Sequence, residues 1–276
     1  MNIFIRILTI VLFVAACTEN PFFQDKIRAT SGLEMSGRVI LQEESDYGDV
    51  FVWAEGLNVF TRTAADGSFR LKLPASINEN VQSETGFHNI YFYCANYLLA
   101  RARVFVFQGK FKYDRESLDE NGRLRENIGL KKLVHIRTVA EPAVFNKTAS
   151  GQYKVIVELY QRVPGVRVYT FKGQGDALRS LFIKKTGDPP EKVYLLGGDY
   201  FRVWELVSGK ITWSLILDWP PEGISDPGSY ELWPFVGVEQ PLPEGLLDSF
   251  GKNAGNYSAD YLNVPIRMEK AVLTLP

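Results

Sequence analysis

Hydrophobic and polar positions alternate in short runs along most of the chain after residue 35, and turn residues divide these runs. Residues 68–73 show the pattern most clearly, because Phe69, Leu71 and Leu73 fall on one face and polar side chains on the other. Such runs predict half-buried strands at 38–41, 49–53, 58–63, 68–73, 89–93, 102–107, 133–138, 153–159, 167–171, 201–206, 211–217, 230–238 and 267–275. The predicted fold class is therefore all-β.

The predicted strands fall into two series, which indicates two tandem β-sandwiches. Pro142 interrupts the pattern where the first series ends, and proline cannot donate to a sheet, so we place the two domains at 34–139 and 140–276. Residues 112–127 are rich in charge and contain Asn121-Gly122, a turn signal, which predicts a solvated loop or a single helical turn. Residues 243–250 could form a short helix before the last strand.

The N-terminus has the pattern of a bacterial lipoprotein signal. Arg6 precedes an apolar run that ends in Val14-Ala15-Ala16-Cys17, which matches the lipobox at which a precursor is cut and its cysteine lipidated. The run is shorter than the roughly 20 residues that a spanning helix needs. We predict a signal peptide at 1–16, lipidation at Cys17 and a tether at 17–33; the alternative is an ordinary secretory signal.

Composition and charge limit the possible partners. The 31 basic and 32 acidic residues give a net charge of -1, so specific contact with nucleic acid or with an anionic membrane surface is not expected. The chain has two cysteines. If Cys17 carries lipid, Cys94 has no partner for an intrachain disulfide, and its apolar surroundings predict a buried small hydrophobic residue.

The first domain resembles the carboxypeptidase regulatory-like family. Three segments carry the likeness: Ser36-Gly37-Arg38-Val39, the strand at 49–53, and residues 61–74, in which Asp66-Gly67 supplies a tight turn. We expect Thr61 and Thr63 to pair across this turn with Phe69 and its neighbours. The resemblance implies a seven-stranded prealbumin-like sandwich with a structural or binding role, and it transfers no catalytic residue.

The second domain resembles an immunoglobulin-like sandwich in architecture. Pro227-Gly228-Ser229-Tyr230 looks like the Pro-Gly-x-Tyr that opens a late strand in many such bacterial domains. The resemblance implies that the Tyr230 hydroxyl bonds back to a loop carbonyl, as in a tyrosine corner.

Catalytic motifs are missing from the sequence. The two histidines, His88 and His135, stand in no zinc-peptidase arrangement, and no Gly-x-Ser-x-Gly elbow or complete phosphate loop occurs. A pair of carboxylates, as in glycosidases, remains open. The acidic residues at 43–49 lack the full spacing of a calcium loop, which favours a solvated loop. We predict a protein that is not an enzyme and uses no cofactor or metal.

Three tryptophans are the candidate binding residues, namely Trp213, Trp219 and Trp233, two of them beside proline. Such rings could bind sugars or a protein partner, or they could fill the core. We expect a noncatalytic binding or assembly protein of the cell envelope, held in the membrane by acyl chains on Cys17. Thr18 after that cysteine resembles outer-membrane lipoproteins. An envelope protein is the expected partner, and the alternative is polysaccharide recognition through the tryptophan loops.

Overall fold

The computed structural model describes residues 31–74, 85–113, 117–142, 151–190 and 192–276, and these residues form an all-β protein. The predicted fold class is confirmed. In chain order the strands are β1 (Ser31–Gly32), β2 (Glu34–Leu41), β3 (Phe51–Ala54), β4 (Val59–Arg62), β5 (Ser68–Lys72), β6 (Gly86–Tyr93), β7 (Ala100–Phe107), β8 (Lys110–Lys112), β9 (Ile128–Leu130), β10 (Val134–Pro142), β11 (Gly151–Gln161), β12 (Arg167–Lys172), β13 (Leu181–Lys185), β14 (Val193–Leu195), β15 (Phe201–Leu206), β16 (Lys210–Trp219), β17 (Gly228–Pro234), β18 (Gly237–Val238), β19 (Met268–Glu269) and β20 (Ala271–Leu275).

Strands β1 to β9 form two sheets around one core. A six-stranded sheet has the order β1-β8-β7-β6-β3-β4, and a three-stranded sheet has the order β5-β2-β9. Strand β2 is antiparallel to β5 and parallel to β9. Alternate side chains of both sheets meet in the core, among them Val39 and Leu71 from the smaller sheet and Phe92 and Val104 from the larger one. This core follows directly from the period-two pattern of the sequence.

The Asp66-Gly67 turn forms as predicted, but the strands on either side of it separate. Gly67 has φ of 83°, and a Cβ there would lie 2.1 Å from the carbonyl oxygen of Val39, so the turn needs glycine. Before the turn, β4 pairs with β3. After the turn, β5 pairs with β2 in the other sheet. The expected pairing of Thr61 and Thr63 with Phe69 is therefore wrong, because the turn connects two different sheets.

Strands β10 to β20 form three sheets, with the orders β16-β11-β10-β19, β14-β13-β17-β20 and β15-β12-β18. Two of these sheets contribute to one hydrophobic core, which includes Val155 and Val157 of β11 and Leu232 of β17. The bond expected of Tyr230 is present, since its hydroxyl donates to the carbonyl oxygen of Asp226 at 2.6 Å. The bond connects the loop before β17 to the beginning of that strand.

The chain passes from the first group of sheets to the second between Leu130 and Leu133, which belong to separate cores. Strand β10 continues without a break across the predicted boundary at residue 139 and pairs with β11 throughout. The first pairing of the second group thus begins several residues earlier than the sequence indicated. The division into two domains stays a prediction.

A third cluster of buried side chains joins the two groups of sheets. Phe51, Trp53 and Tyr93 of the first group pack against residues of the second that include Phe250 and Tyr261. The Phe51 and Phe250 ring centroids lie 4.6 Å apart. Phe250 ends a 3-10 helix at Leu247–Phe250, inside the segment where a short helix was predicted. The described part of the chain is therefore one continuous packed body across the junction.

Several elements differ from the sequence-based expectation. Strands β13 and β14 and the short strands β1, β8 and β9 were not predicted. The described residues 117–127 contain no helical turn, and a bridge between Leu118 and Leu124 closes a turn there instead. None of the helical segments in the described ranges has the length and apolarity that crossing a membrane requires. Cys17 and the predicted signal peptide at 1–16 lie outside the described residues.

Candidate functional site

Two of the three candidate tryptophans lie in the core, so their assignment as binding residues is corrected. Trp213 and Trp219 are each 2% exposed and point inwards from β16. Their spacing is even along a strand with one buried face, which brings both rings to the same side. Trp233 is half-buried, and the Lys270 ammonium lies 3.9 Å from the centre of its ring.

The exposed tryptophan is Trp204, which the sequence analysis did not select. Its side chain is 42% exposed, and it stands in β15 between two other exposed apolar residues, Phe201 at 56% and Leu206 at 57%. Large apolar side chains thus reach solvent along the length of one strand. This grouping is the feature of the second half that most needs a functional explanation.

Strand β15 is the edge of its sheet and pairs with β12 along one side. The amide of Val207 donates to the carbonyl of Val166 at 2.9 Å. This bond shows which residue pairs of the two antiparallel strands exchange backbone hydrogen bonds. Alternate residues of β15 therefore turn their backbone groups towards β12, and the residues between them turn theirs away. In the described parts of the chain no strand pairs with that open side. The residues with outward N–H and C=O groups are Arg202, Trp204 and Leu206.

These three residues also place their side chains on one face of the sheet, together with residues of β12. Trp204 stands opposite Tyr169, and the two ring centroids are 4.4 Å apart. The Arg202 guanidinium lies 4.9 Å from the Tyr169 ring centre, and the Arg167 guanidinium lies 5.6 Å from the Trp204 ring. We define the β15 edge as the open backbone of β15 together with the side chains of Arg167, Tyr169, Arg202, Trp204 and Leu206.

Tyr169 is held in place by its close approach to β18. A Cβ on Gly237 would lie 2.1 Å from a carbon of the Tyr169 ring, so only glycine lets the ring pack on that strand. Burial raises the pKa of the Tyr169 hydroxyl above its ordinary value, and the nearby Arg202 charge offsets a part of this shift. The ring that supports Trp204 is therefore neutral and fixed, which gives the edge a rigid base.

The two arginines of the β15 edge differ in their electrostatic surroundings. Arg167 pairs with Glu239 at 3.0 Å. Arg202 donates to the side-chain oxygen of Asn256 at 2.6 Å, a neutral group, and among the described residues no carboxylate lies within ion-pair distance of it. The β15 edge thus carries one guanidinium that forms no ion pair with any carboxylate in the described ranges.

The opposite face of β15 is tied to the core by an ion pair with a buried lysine. Lys172 of β12, whose side chain is 4% exposed, lies 2.6 Å from Glu205, which also accepts a bond from Trp213 Nε1 at 3.0 Å. Burial alone would lower the pKa of Lys172, but the hydrogen bonds that it donates to Glu205 and Asp176 outweigh burial and raise the pKa. This network holds β15 against β12 while its other side stays open.

The acidic segment at 43–49 pairs with basic side chains. Glu43 binds Arg162 at 2.9 Å, Glu44 binds the buried Lys132 at 2.6 Å, and Asp46 lies 3.8 Å from Arg267. In the ranges that the structure covers, no group of three or more His, Cys, Asp or Glu side chains is arranged to hold a metal ion. The carboxylates of this loop thus contribute to the contact between the two groups of sheets.

The remaining cysteine and one of the histidines lie in different surroundings. Cys94 is 2% exposed, as predicted for a small buried hydrophobic residue. His135 of β10 lies 3.2 Å from Glu269 on an open surface beside Arg137 and Tyr160. An open cleft of about 340 Å³ between β13, β14 and the loop before β17 is lined by residues that include Lys185, Lys192 and Tyr194.

Comparisons with known proteins do not assign a family. No family model matches the chain, and no curated protein matches it. Among solved structures, the chain is similar to one described as the Bacillus anthracis TIE protein, with 8% identity and a TM-score of 0.23. That likeness covers 88% of this chain and 34% of the other, so this chain spans about a third of that protein's length. The family resemblances stated above stay predictions.

Proposed function

We propose that this chain is a noncatalytic, lipid-anchored protein of the cell envelope that acts as a binding or assembly module for a protein partner. The observation that carries the proposal is the β15 edge, an open strand with exposed aromatic and aliphatic side chains. Folded proteins usually protect a strand edge with lysine, proline, a bulge or a covering loop. An edge that instead presents Trp204 and Leu206 supports a binding surface.

The chemistry of the edge favours an extended protein segment as its ligand. Three residues offer outward backbone donors and acceptors, which a partner strand can pair with directly. Trp204 and Arg202 stand on the same face beside the fixed Tyr169 ring, and tryptophan, tyrosine and arginine are the residues that most often dominate protein interfaces. Main-chain pairing would supply affinity, and this aromatic face would supply selectivity.

The anchor is the second part of the proposal. The lipobox sequence ending in Cys17 supports a body tethered outside the inner membrane, and Thr18 supports the outer membrane. Several acyl chains hold a protein firmly, since each buried methylene contributes about 0.8 kcal/mol. Carbohydrate recognition, the alternative, has less support, because Trp219 is buried and Lys270 lies against the Trp233 ring.

A single backbone substitution tests the β15 edge. In the full-length chain, Leu206→Pro removes one outward N–H and leaves the pairing with β12 intact, whereas Leu206→Ala keeps that N–H. A photoreactive residue in place of Arg202 should crosslink in cells to a defined envelope protein. A photoreactive residue in place of Ile216, which is 55% exposed on β16, is the matched control and should not give this adduct.

We expect Leu206→Pro to abolish the adduct formed from position 202 and Leu206→Ala to retain most of it. An adduct that survives Leu206→Pro, or that forms equally from position 216, would contradict pairing at the β15 edge. Recovery of polysaccharide without protein would instead favour the carbohydrate alternative.

A further inference from the structure

A second exposed surface lies on the six-stranded sheet of the first group, far along the chain from the β15 edge. The inner face of β6, β7 and β8 contributes fully buried residues to the first core, such as Val104, Val106 and Phe111. The outer face carries Phe87, which is 58% exposed, and Phe107, which is 38% exposed. Two exposed phenylalanines on a single sheet face form an apolar patch, and such patches often mark binding surfaces.

Basic side chains surround these rings. The registers Asn89↔Arg103 and Phe107↔Lys110 place basic and aromatic residues on the same side of the sheet. The Arg103 guanidinium lies 4.1 Å from the Phe87 ring centre, and the Lys112 ammonium lies 4.9 Å from the Phe107 ring. We call the surface the basic aromatic face, and its residues are Phe87, Arg101, Arg103, Phe105, Phe107, Lys110 and Lys112.

Among the described residues, one carboxylate from outside β6, β7 and β8 reaches this face, that of Glu55, which accepts a bond from Asn89 Nδ2 at 2.8 Å. None of the side chains that β6, β7 and β8 place on it is acidic. Within the described ranges, no carboxylate forms an ion pair with Arg101, Arg103, Lys110 or Lys112. The net charge of -1 for the whole chain therefore hides a face with four basic residues. The expectation of no contact with an anionic surface rested on that total and not on this distribution.

The position of the face relative to the chain terminus suggests what it binds. Strand β1, where the described chain begins, pairs with β8, and Ser31 lies opposite Lys112. The predicted lipid on Cys17 is joined to Ser31 by a stretch that reaches at most about 50 Å when fully extended. In an anchored protein the tether would therefore join the fold at the edge of the basic aromatic face, within reach of the bilayer.

We propose that the basic aromatic face docks on the anionic headgroups of the membrane that carries the lipid anchor. This inference rests on the lipid anchor of the proposed function. Lysine and arginine are attracted to an anionic leaflet within a Debye length, and aromatic rings beside them enter the headgroup region. Docking would fix the orientation of the body relative to the membrane.

Lysine footprinting of the full-length chain tests this orientation without added labels. The chain is reconstituted into vesicles of zwitterionic lipid, or of the same lipid with one part in about three of phosphatidylglycerol, and is acetylated briefly before mass spectrometry. We expect Lys110 to react about five-fold more slowly on the anionic vesicles. The attraction of one protonated lysine to such a surface lowers its reactive, unprotonated fraction by about that factor. Lys154 and Lys252, which are exposed elsewhere, are the internal controls and should not change.

Two charge-reversal variants separate docking from net charge. Arg101→Glu/Arg103→Glu should abolish the protection of Lys110. The matched control is Arg70→Glu/Lys72→Glu, which changes the same number of charges on the exposed face of β5 in the opposite sheet and should leave the protection intact. Raising the salt concentration to about 1 M, where the Debye length falls to about 3 Å, should also remove it.

The outcomes distinguish this inference from the proposed function. Equal reactivity of Lys110 on the two kinds of vesicle, or protection that persists in Arg101→Glu/Arg103→Glu, would overturn docking even if the chain floats with the vesicles. A chain that does not float with them contradicts the anchor, and the same footprint is then taken with vesicles in excess. In that case protection of Lys110 on anionic vesicles still supports the face, and its absence rejects it.

Discussion

Asn96 and Arg267 form two hydrogen bonds. In them the side-chain amide of Asn96 pairs with the backbone of Arg267, as a neighbouring strand would. Asn96 Nδ2 donates to the carbonyl of Arg267 at 2.8 Å, and Asn96 Oδ1 accepts from its amide at 3.0 Å. The same Nδ2 donates to the carbonyl of Val134 at 3.1 Å. Asn96 is fully buried and belongs to the first group of sheets, so it satisfies backbone groups of the second. One side chain thus connects the two groups at their junction.

We expect Asn96→Ala to lower the free energy of unfolding by about 2–4 kcal/mol, because it leaves several buried backbone groups without partners. Urea unfolding followed by tryptophan fluorescence measures this change. Asn253→Ala, at an exposed position, is the matched control and should change the free energy by less than about 0.5 kcal/mol. A similar small effect for both variants would show that the Asn96 bonds do not stabilise the junction.

We expect substitution of Trp219 to affect mainly stability and substitution of Trp204 to affect mainly partner binding. Trp219 is buried, so Trp219→Ala should cost about 3–5 kcal/mol of unfolding free energy. Trp204 is exposed and its ring packs on Tyr169 at a tilted angle, so Trp204→Ala should cost about 1 kcal/mol. The adduct formed by a photoreactive residue at position 202 should nevertheless be lost in Trp204→Ala. Equal destabilisation by both variants would contradict the assignment of Trp204 to a binding surface.

The strands show which parts of this fold can be predicted from a sequence. Strand β16 alternates, and Trp213, Leu215, Leu217 and Trp219 all fall on its buried face, so the burial of both tryptophans could have been predicted from their spacing. Strand β13 was missed because Leu181, Phe182 and Ile183 are buried on both faces and do not alternate.

The β15 edge required the structure. Its sequence, Phe-Arg-Val-Trp-Glu-Leu, has apolar residues on both faces, and that mixture indicates neither a buried face nor an exposed one. Which side of a strand remains unpaired depends on sheet order, and sheet order is set by contacts between distant segments. The basic aromatic face was hidden for the same reason, since Phe87 and Lys110 meet only when β6, β7 and β8 pair.

Acid should weaken the second group of sheets through Glu231. Burial tends to raise the pKa of this carboxyl, but hydrogen bonds from Lys270 at 2.9 Å and from Trp233 at 2.8 Å outweigh it and lower the pKa below the ordinary value of 4.5. Because the folded state favours the ionised form, this stabilisation is fully present above the unfolded pKa. It is lost as the pH falls through the lower folded pKa.

Urea midpoints measured between about pH 7 and pH 2 should therefore fall less steeply for Glu231→Gln than for the unchanged chain. Glu222→Gln, at an exposed position, is the control and should keep the original slope. If Glu231→Gln and the unchanged chain lose stability in parallel, the bonds from Lys270 and Trp233 do not favour the ionised carboxyl.

The two cysteines allow one labelling experiment to test both the core and the anchor. Burial raises the pKa of the Cys94 thiol to about 12 and leaves its side chain inaccessible, so iodoacetamide at about pH 8 should not modify Cys94 in the folded protein. In concentrated guanidinium chloride Cys94 should react fully. If Cys17 carries lipid through its sulfur, that thiol cannot be alkylated in either state, so the unfolded protein should take a single adduct, absent from Cys94→Ala. An adduct on Cys17 would contradict lipidation, whereas an adduct on Cys94 in the folded protein would contradict the packing of the first core.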